Sequence, residues 1–226
     1  MGLASQSAKS LLPISGFRWL KFHTVNRSKA LRAATVGGIG LSLACFIFLH
    51  VTMPHVHPVH QPLSMFEIER QGQVAYIIAC AGLTLACAAL AKLHRQWLRI
   101  ALTASAGAFV LTVMFPTDPG DTMSLAGQVH RYASGAAFWL VIVTGFIAAY
   151  LLLRQHLGRW MLAVTAANFI LMCVVMLNTF LPELANGGDW RGVPQRLLLL
   201  GEGTLLLMLA YAPSLSTTPV PAGKHD

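Results

Sequence analysis

The stretch VAYIIACAGLTLACAALAKL, residues 74–93, decides the fold because Lys92 is its single charged residue in twenty positions. An α-helix needs roughly 20 apolar residues to cross a bilayer core of about 30 Å. The stretch is apolar around its whole circumference, which is typical of a helix in lipid or within a bundle. It therefore predicts a transmembrane helix.

Five further stretches have similar length and composition, so the sequence predicts an all-α fold, a polytopic membrane protein built as a bundle of six transmembrane helices. They run approximately over residues 33–51, 98–115, 132–153, 160–180 and 195–212. The predicted domains are a basic leader over 1–32, the six-helix transmembrane domain over 33–212 and a tail over 213–226. Within the leader, residues 11–22 mix aromatic and basic side chains, which leaves an interfacial helix and a flexible tail both open.

The composition excludes several classes of protein. Only 11% of the 226 residues are charged while 55% are hydrophobic, whereas soluble domains average about 25% charged. This argues against a soluble enzyme and a disordered chain. The net charge of +8 does not indicate nucleic acid as a partner, because the basic residues lie between apolar runs and not on one folded face. All four cysteines fall inside the apolar runs, so we expect no disulfides.

The positions of lysine and arginine predict the orientation in the membrane. The leader, the second and fourth loops and the C-terminal tail hold twelve of the sixteen basic residues. Cytoplasmic segments retain positive charge. We therefore expect both termini to be cytoplasmic and the first, third and fifth loops to lie on the outer side.

A histidine tract in the first loop suggests a candidate metal site on that outer side. Imidazole nitrogens and carboxylate oxygens bind zinc and related divalent ions. The spacing matches no closed tetrahedral motif, so solvated loop histidines are the alternative. The candidate ligands are His55, His57, His60, His130 and Asp118.

Asp118 and His130 begin and end the third loop, so both side chains can reach the same mouth of the bundle. A carboxylate that orients an imidazole would make His130 a general base or a metal ligand. We expect a hydrogen bond between them, directly or through one water. The alternative is structural: Asp118 caps a turn, and His130 ends the fourth helix at the headgroups.

Glu202 lies inside the sixth predicted span. An ionisable group at that depth is costly and by default marks a functional site or a pair that faces the bundle interior. We expect Glu202 to face the bundle, held by Arg196, Asn178 or trapped water, and to form with Arg196 and Gln195 a ligand-binding vestibule. A purely structural polar clasp is the alternative.

Short motifs in a fixed order carry a family resemblance. They are Pro62-Leu63-Ser64, Phe115-Pro116-Thr117-Asp118-Pro119, Gly127-x-x-His130 and Gly192-x-x-Gln195-Arg196. Over residues 33–212 the chain resembles a bacterial six-span integral membrane family called domain of unknown function 998. The resemblance implies a multi-pass protein of the bacterial cytoplasmic (inner) membrane without a settled activity, and it points to Ser64, Asp118, His130 and Arg196.

Two functions compete on this basis. The favoured one is a non-enzymatic membrane module whose outward-facing polar vestibule binds a small ligand, a lipid or a partner protein. The alternative is a membrane-embedded hydrolase or transferase acting on a lipid-type substrate, with Asp118, His130 and Ser64 as catalytic residues and metal assistance left open. A transporter ranks third, bis-histidine haem is disfavoured by the spacing of His130 and His156, and a homo-oligomer stays open.

Overall fold

The computed structural model describes residues 15–119, 123–185 and 189–213. This part of the chain contains six long α-helices, two short 3₁₀ helices and no strand. The predicted all-α architecture is therefore confirmed. The long helices are α1 (Ser15–Thr52), α2 (Arg70–Ala91), α3 (Gln96–Met114), α4 (Leu125–Leu151), α5 (His156–Phe180) and α6 (Gly192–Tyr211), and the 3₁₀ helices are Leu63–Glu67 and Pro182–Leu184.

All six long helices are long and apolar enough to cross a membrane, with Arg27–Thr52 as the candidate span of α1. Their outward surfaces carry many exposed large apolar side chains, which lipid would cover. Amphipathic aromatic rings favour the headgroup level. Exposed ones lie near helix ends here, at Trp97, Tyr132, Tyr150, Trp160, Trp190 and Tyr211.

All six helices begin earlier than the apolar runs indicate, α1 and α4 by the most residues. The first starts by Ser15, so the part of the predicted leader over 15–32 is helical and continuous with the first span. The fourth starts at Leu125, because the Ser124 side chain accepts a hydrogen bond from the Gly127 N–H and caps its first turn. His130, expected at the end of a loop, consequently lies inside α4. Asp121, residues 11–14 of the leader segment and the tail from 214 lie outside the described residues.

Helices that follow one another in sequence pack against one another, and α6 also contacts α1, α2 and α4. The first two helices cross where Gly38 and Gly82 face each other so closely that a Cβ at either would collide with the other's backbone. Small residues permit this close approach of transmembrane helices. The main apolar core lies among α2 to α6.

The bundle has two distinct ends. We call the end with the first, third and fifth loops, residues 53–69, 115–124 and 181–191, the odd-loop end. The opposite one, with residues 92–95 and 152–155, is the even-loop end. The first loop is not a loose connection, because Met53, Val56, Leu63 and Phe66 are buried in a second core with α1 and α2. This buried loop shapes the candidate site.

Candidate functional site

A cavity of about 390 Å³ lies at the odd-loop end, and all six long helices contribute to its wall. Its polar wall residues come mostly from the loops and the adjoining helix turns, and its deepest wall residues are apolar. Leu83 and Phe138 are each thirteen residues from the start of their helices, about 20 Å at 1.5 Å per residue. The cavity therefore runs from a polar mouth into the membrane-spanning part of the bundle.

The structure brings four of the six residues predicted for catalysis or the vestibule to this cavity and leaves two outside its wall. The four are Ser64, Asp118, His130 and Gln195. The two outside the wall are Arg196 and Glu202. Several wall residues were not singled out from the sequence, among them Tyr76, Arg131 and Arg191.

Glu67, and not Asp118, is the carboxylate that lies against His130. The His130 Nδ1–H donates to the carbonyl oxygens of Phe115 at 2.9 Å and Thr112 at 3.0 Å. Its Nδ1 is 3.5 Å from Glu67 Oε2, and both residues are buried. Among the described residues no direct hydrogen bond joins Asp118 to His130, and the expected contact through one water stays a prediction. The direct bond is missing because of the early start of α4, which draws His130 into the bundle beside the buried first loop.

The carboxyl group of Glu67 is poorly hydrogen-bonded for a buried charge. Its Oε2 accepts from the Thr117 backbone N–H at 3.3 Å, and its Oε1 is buried without a partner in the described structure. Burial raises the pKa of Glu67 from its usual 4.5 to about 7, against a smaller lowering by the Thr117 N–H. Near neutral pH the protonated and ionised forms of this side chain are therefore both populated.

Asp118 is occupied in organising the third loop. Its carboxylate accepts hydrogen bonds from the Ser124 backbone N–H and the Ser124 hydroxyl, both at 2.7 Å. These two bonds hold the pKa of Asp118 below its usual value. The same carboxylate lies against Gly127, where no Cβ would fit. The Asp118 and Gly127 motifs thus form one capping arrangement at the start of α4, which agrees with a structural role for Asp118, whereas His130 lies inside α4 and not at its end.

The Gly192-x-x-Gln195-Arg196 motif attaches α6 to the first loop. The Arg196 Nε–H donates to His50 Nε2 at 2.7 Å, and its Nη1 donates to the Gln61 carbonyl at 2.8 Å. Gln195 Oε1 accepts from the Leu63 N–H at 2.7 Å. The Gly192 N–H donates to the Val59 carbonyl at 2.9 Å. Arg196 therefore holds the loop that forms one wall of the cavity.

The histidine tract makes separate contacts. His55 Nε2 lies 2.6 Å from Glu69 Oε1 at the exposed surface, and the His60 Nδ1–H donates to the Asp189 carbonyl. The His57 ring lies beside the His60 ring, with centroids 4.5 Å apart. Within the part of the chain that the structure describes, no three His, Cys, Asp or Glu side chains converge as a metal ligand set. A divalent metal at this end stays a prediction.

Glu202 faces the bundle interior, as expected from its depth, with 2% of its surface exposed. The side chains expected to hold Glu202 have other partners. Arg196 donates to His50 and to the Gln61 carbonyl, and Asn178 donates through its Nδ2 to the Val174 carbonyl. In the described structure Glu202 Oε1 has no hydrogen-bond partner. Leu199, one turn nearer the odd-loop end, is the wall residue on this face of α6.

A family model described as "Protein of unknown function (DUF998)" matches residues 36–212. The chain belongs to the DUF998 family. The predicted resemblance is confirmed, and the match covers all six candidate spans except the first turns of α1. No curated protein and no solved structure matches the chain.

Two guanidinium groups give the cavity of this DUF998 protein a cationic mouth. Arg131 lies over the Phe180 ring, 5.8 Å from its centroid, and Arg191 Nε is buried without a hydrogen-bond partner in the described structure. Neither forms a salt bridge with a described carboxylate. In the sequence, these two arginines are distinguished only as members of the four basic residues on the predicted outer side, whereas twelve lie on the other. The signal available in hindsight is that each directly adjoins a motif, at His130 and at Gly192.

Proposed function

We propose that this DUF998 protein binds an amphipathic, lipid-type ligand with an anionic head group in the cavity at the odd-loop end. The observation that carries the proposal is the pairing of a mouth lined by Arg131 and Arg191 with an apolar interior lined by residues such as Leu83, Phe109 and Phe138. Guanidinium groups recognise phosphate and carboxylate oxygens. The apolar interior would accept a hydrocarbon chain.

The dimensions and the polar groups support the same ligand class. A volume of about 390 Å³ falls within the range of about 300 to 1,000 Å³ typical of small-molecule pockets. Because His130 Nδ1 donates to backbone carbonyls, Nε2 is the acceptor nitrogen of a neutral ring. Ser64 and Gln195 add further polar side chains to the wall. These groups would orient the head group, while the hydrocarbon interior supplies affinity.

We further propose that the odd-loop end faces away from the cytoplasm, so that the cavity is reached from the outer leaflet of a bacterial inner membrane. Twelve of sixteen basic residues belong to segments of the opposite side, and this asymmetry sets topology. Reporter fusions after Lys92 and Glu183 should give cytoplasmic and external signals respectively. The reverse pattern would contradict the orientation.

The binding test uses dodecyl phosphate and the full-length protein in phosphatidylcholine nanodiscs, with empty nanodiscs as blank. We expect saturable binding by calorimetry that Arg191→Gln weakens about tenfold. Butyl phosphate, with the same head group and a short chain, should bind far more weakly because it leaves the apolar interior empty.

The matched control is Arg70→Gln, because Arg70 is exposed at the same end and is not in the cavity wall. It should bind dodecyl phosphate like the wild type. Absence of saturable binding, or an equal loss in both arginine variants, would contradict a specific cavity ligand.

A lipid hydrolase or transferase is the second candidate, because the buried Glu67–His130 pair lies beside a cavity that Ser64 also lines. A proton-exchanging carboxyl next to an imidazole is an arrangement used in general acid–base catalysis. Mass spectrometry of lipid extracts incubated with the protein tests it. Turnover of a lipid that Glu67→Gln and His130→Gln both abolish would favour the enzyme, whereas bound but unchanged lipid would favour the binding module.

A further inference from the structure

A second cavity, of about 420 Å³, lies at the even-loop end of the bundle. The first turns of the α1 span, the α2–α3 connection, the start of α3 and the end of α6 form its wall. Four cationic side chains line it and no described Asp or Glu does. They are Arg27, Arg32, Lys92 and Arg99.

His94 is the buried member of this wall, with 4% of its surface exposed. Its Nε2–H donates to the Leu209 carbonyl at 3.1 Å. That bond makes Nδ1 the other, acceptor nitrogen of the neutral ring, and Nδ1 is buried without a partner in the described structure. Burial, opposed by the Leu209 bond, lowers the pKa of His94, and Arg32 lowers it further. An unpartnered buried nitrogen normally signals a missing ligand, ion or water.

Arg32 carries the second unpartnered group. It is half-buried, and its Nε has no hydrogen-bond partner in the described structure. Retention of positive charge on one side of the membrane explains why basic residues occur at this end. It does not explain why they converge on one cavity whose described wall residues include no carboxylate. Like charges in such an arrangement repel one another unless an anion lies between them.

We propose that this cavity binds a phosphate-class anion, with Arg32 as its central ligand and Arg27, Lys92 and Arg99 around it. A phosphate group offers several acceptor oxygens and negative charge, which match convergent guanidinium and ammonium donors. An anion beside His94 would favour protonation of Nδ1 against the effect of burial, and the protonated Nδ1 would then donate to that anion. Two kinds of molecule could supply this phosphate group. One is a phospholipid of the adjoining leaflet, through its head group, and the other is a soluble phosphate.

The test compares these sources using the full-length protein in phosphatidylcholine nanodiscs. One arm adds inorganic phosphate at constant ionic strength, and the other replaces part of the phosphatidylcholine with phosphatidylglycerol. The thermal unfolding midpoint is measured in both. We expect a saturable rise in at least one arm, with the apparent affinity falling tenfold or more in Arg32→Gln.

Two further variants keep the result interpretable. Lys92→Gln removes an exposed wall cation, so it should weaken binding even if Arg32→Gln does not fold. Arg154→Gln is the control, because Arg154 lies exposed in the other connection of the even-loop end, outside the cavity wall. It should respond like the wild type.

A response to inorganic phosphate supports a soluble anion, and a response to phosphatidylglycerol alone supports a lipid head group. The proposal is overturned if neither arm raises the unfolding midpoint. It is equally overturned if Arg154→Gln loses as much affinity as Arg32→Gln and Lys92→Gln, because the effect would then be general surface charge.

Discussion

The two ends of the bundle hold cavities of similar volume, about 390 and 420 Å³, but they are built differently. The odd-loop cavity combines one carboxylate, two arginines, an imidazole and a deep apolar interior, and every long helix contributes to its wall. The even-loop cavity is lined by cations, one buried histidine and a few apolar side chains. The odd-loop cavity resembles a binding site for an amphipathic molecule, and the even-loop cavity resembles a binding site for a small anion.

The difference teaches how each cavity acquires its shape. Long-range hydrogen bonds fold the first loop against α6 at the odd-loop end, such as those from Arg196 to His50 and Gln61. At the even-loop end the cavity wall is formed by helix ends and one short connection. The hydrogen bond from His94 to the Leu209 carbonyl joins that connection to the end of α6. The odd-loop cavity should therefore be more sensitive to single substitutions in its supporting contacts.

The largest expected effect is that of Arg196→Gln. The change removes charged donors from His50 and the Gln61 carbonyl, and hydrogen bonds to charged groups contribute about 1.5 to 3 kcal/mol each. We expect a loss of about 3 kcal/mol in the free energy of unfolding in detergent, together with loss of dodecyl phosphate binding. Phosphate-dependent stabilisation through the even-loop cavity should persist in the protein that remains folded.

The control for this change is Arg70→Gln, which removes an exposed arginine from the same end. Its unfolding free energy should change by less than about 0.5 kcal/mol. If Arg196→Gln is as stable as Arg70→Gln, the first loop does not depend on this attachment.

A smaller, pH-dependent effect is expected for Glu67→Gln. The folded-state pKa of Glu67 is raised to about 7 from 4.5, so its contribution to stability is fully present below about pH 4.5 and is lost as the pH rises through 7. Glutamine keeps a neutral side chain at every pH. As the pH rises from 5 to 8, the free energy of unfolding of the variant should therefore increase by about 2 kcal/mol relative to that of the wild type. Unfolding measurements at each pH test this.

Glu183→Gln is the matched control, since Glu183 is exposed at the same end and has no hydrogen-bond or salt-bridge partner in the described structure. It should leave the pH dependence of the wild type unchanged. A constant difference between Glu67→Gln and the wild type over this pH range would contradict a raised pKa at Glu67.

Hydrophobic length was sufficient to predict six helices, because the bilayer imposes a minimum on every apolar run. It was less informative about their ends. Polar first turns, such as Leu125 to Arg131 of α4, have helical geometry without being apolar, so the predicted span began at Tyr132 while the helix begins at Leu125. That difference moved His130 from a loop into the bundle.

The site was harder to predict because its partners are distant in sequence. Motif order indicated Ser64, Asp118, His130 and Arg196; the first three line one cavity, whereas Arg196 lies outside its wall and holds the first loop. Chain proximity then favoured Asp118 as the partner of His130, whereas Glu67 reaches it through a 3₁₀ helix of the first loop. The acidic residues of that loop look alike in the sequence, and only packing distinguishes buried Glu67 from exposed Glu69.

The smallest expected effect is that of Ser124→Ala at the start of α4. Ser124 accepts from the Gly127 N–H and donates its hydroxyl to Asp118, and loss of a serine cap typically costs about 1 kcal/mol. The pKa of Asp118 should also rise towards its usual value, because the Ser124 hydroxyl is the largest cause of its lowering. Thermal unfolding at pH 7 measures the first effect.

Ser64→Ala serves as control, since that hydroxyl has no hydrogen-bond partner in the described structure and its removal should change stability little. If the two serine variants are equally stable, the Asp118–Ser124–Gly127 arrangement does not set where α4 begins, and the buried position of His130 must be maintained by its bonds to Thr112 and Phe115 instead.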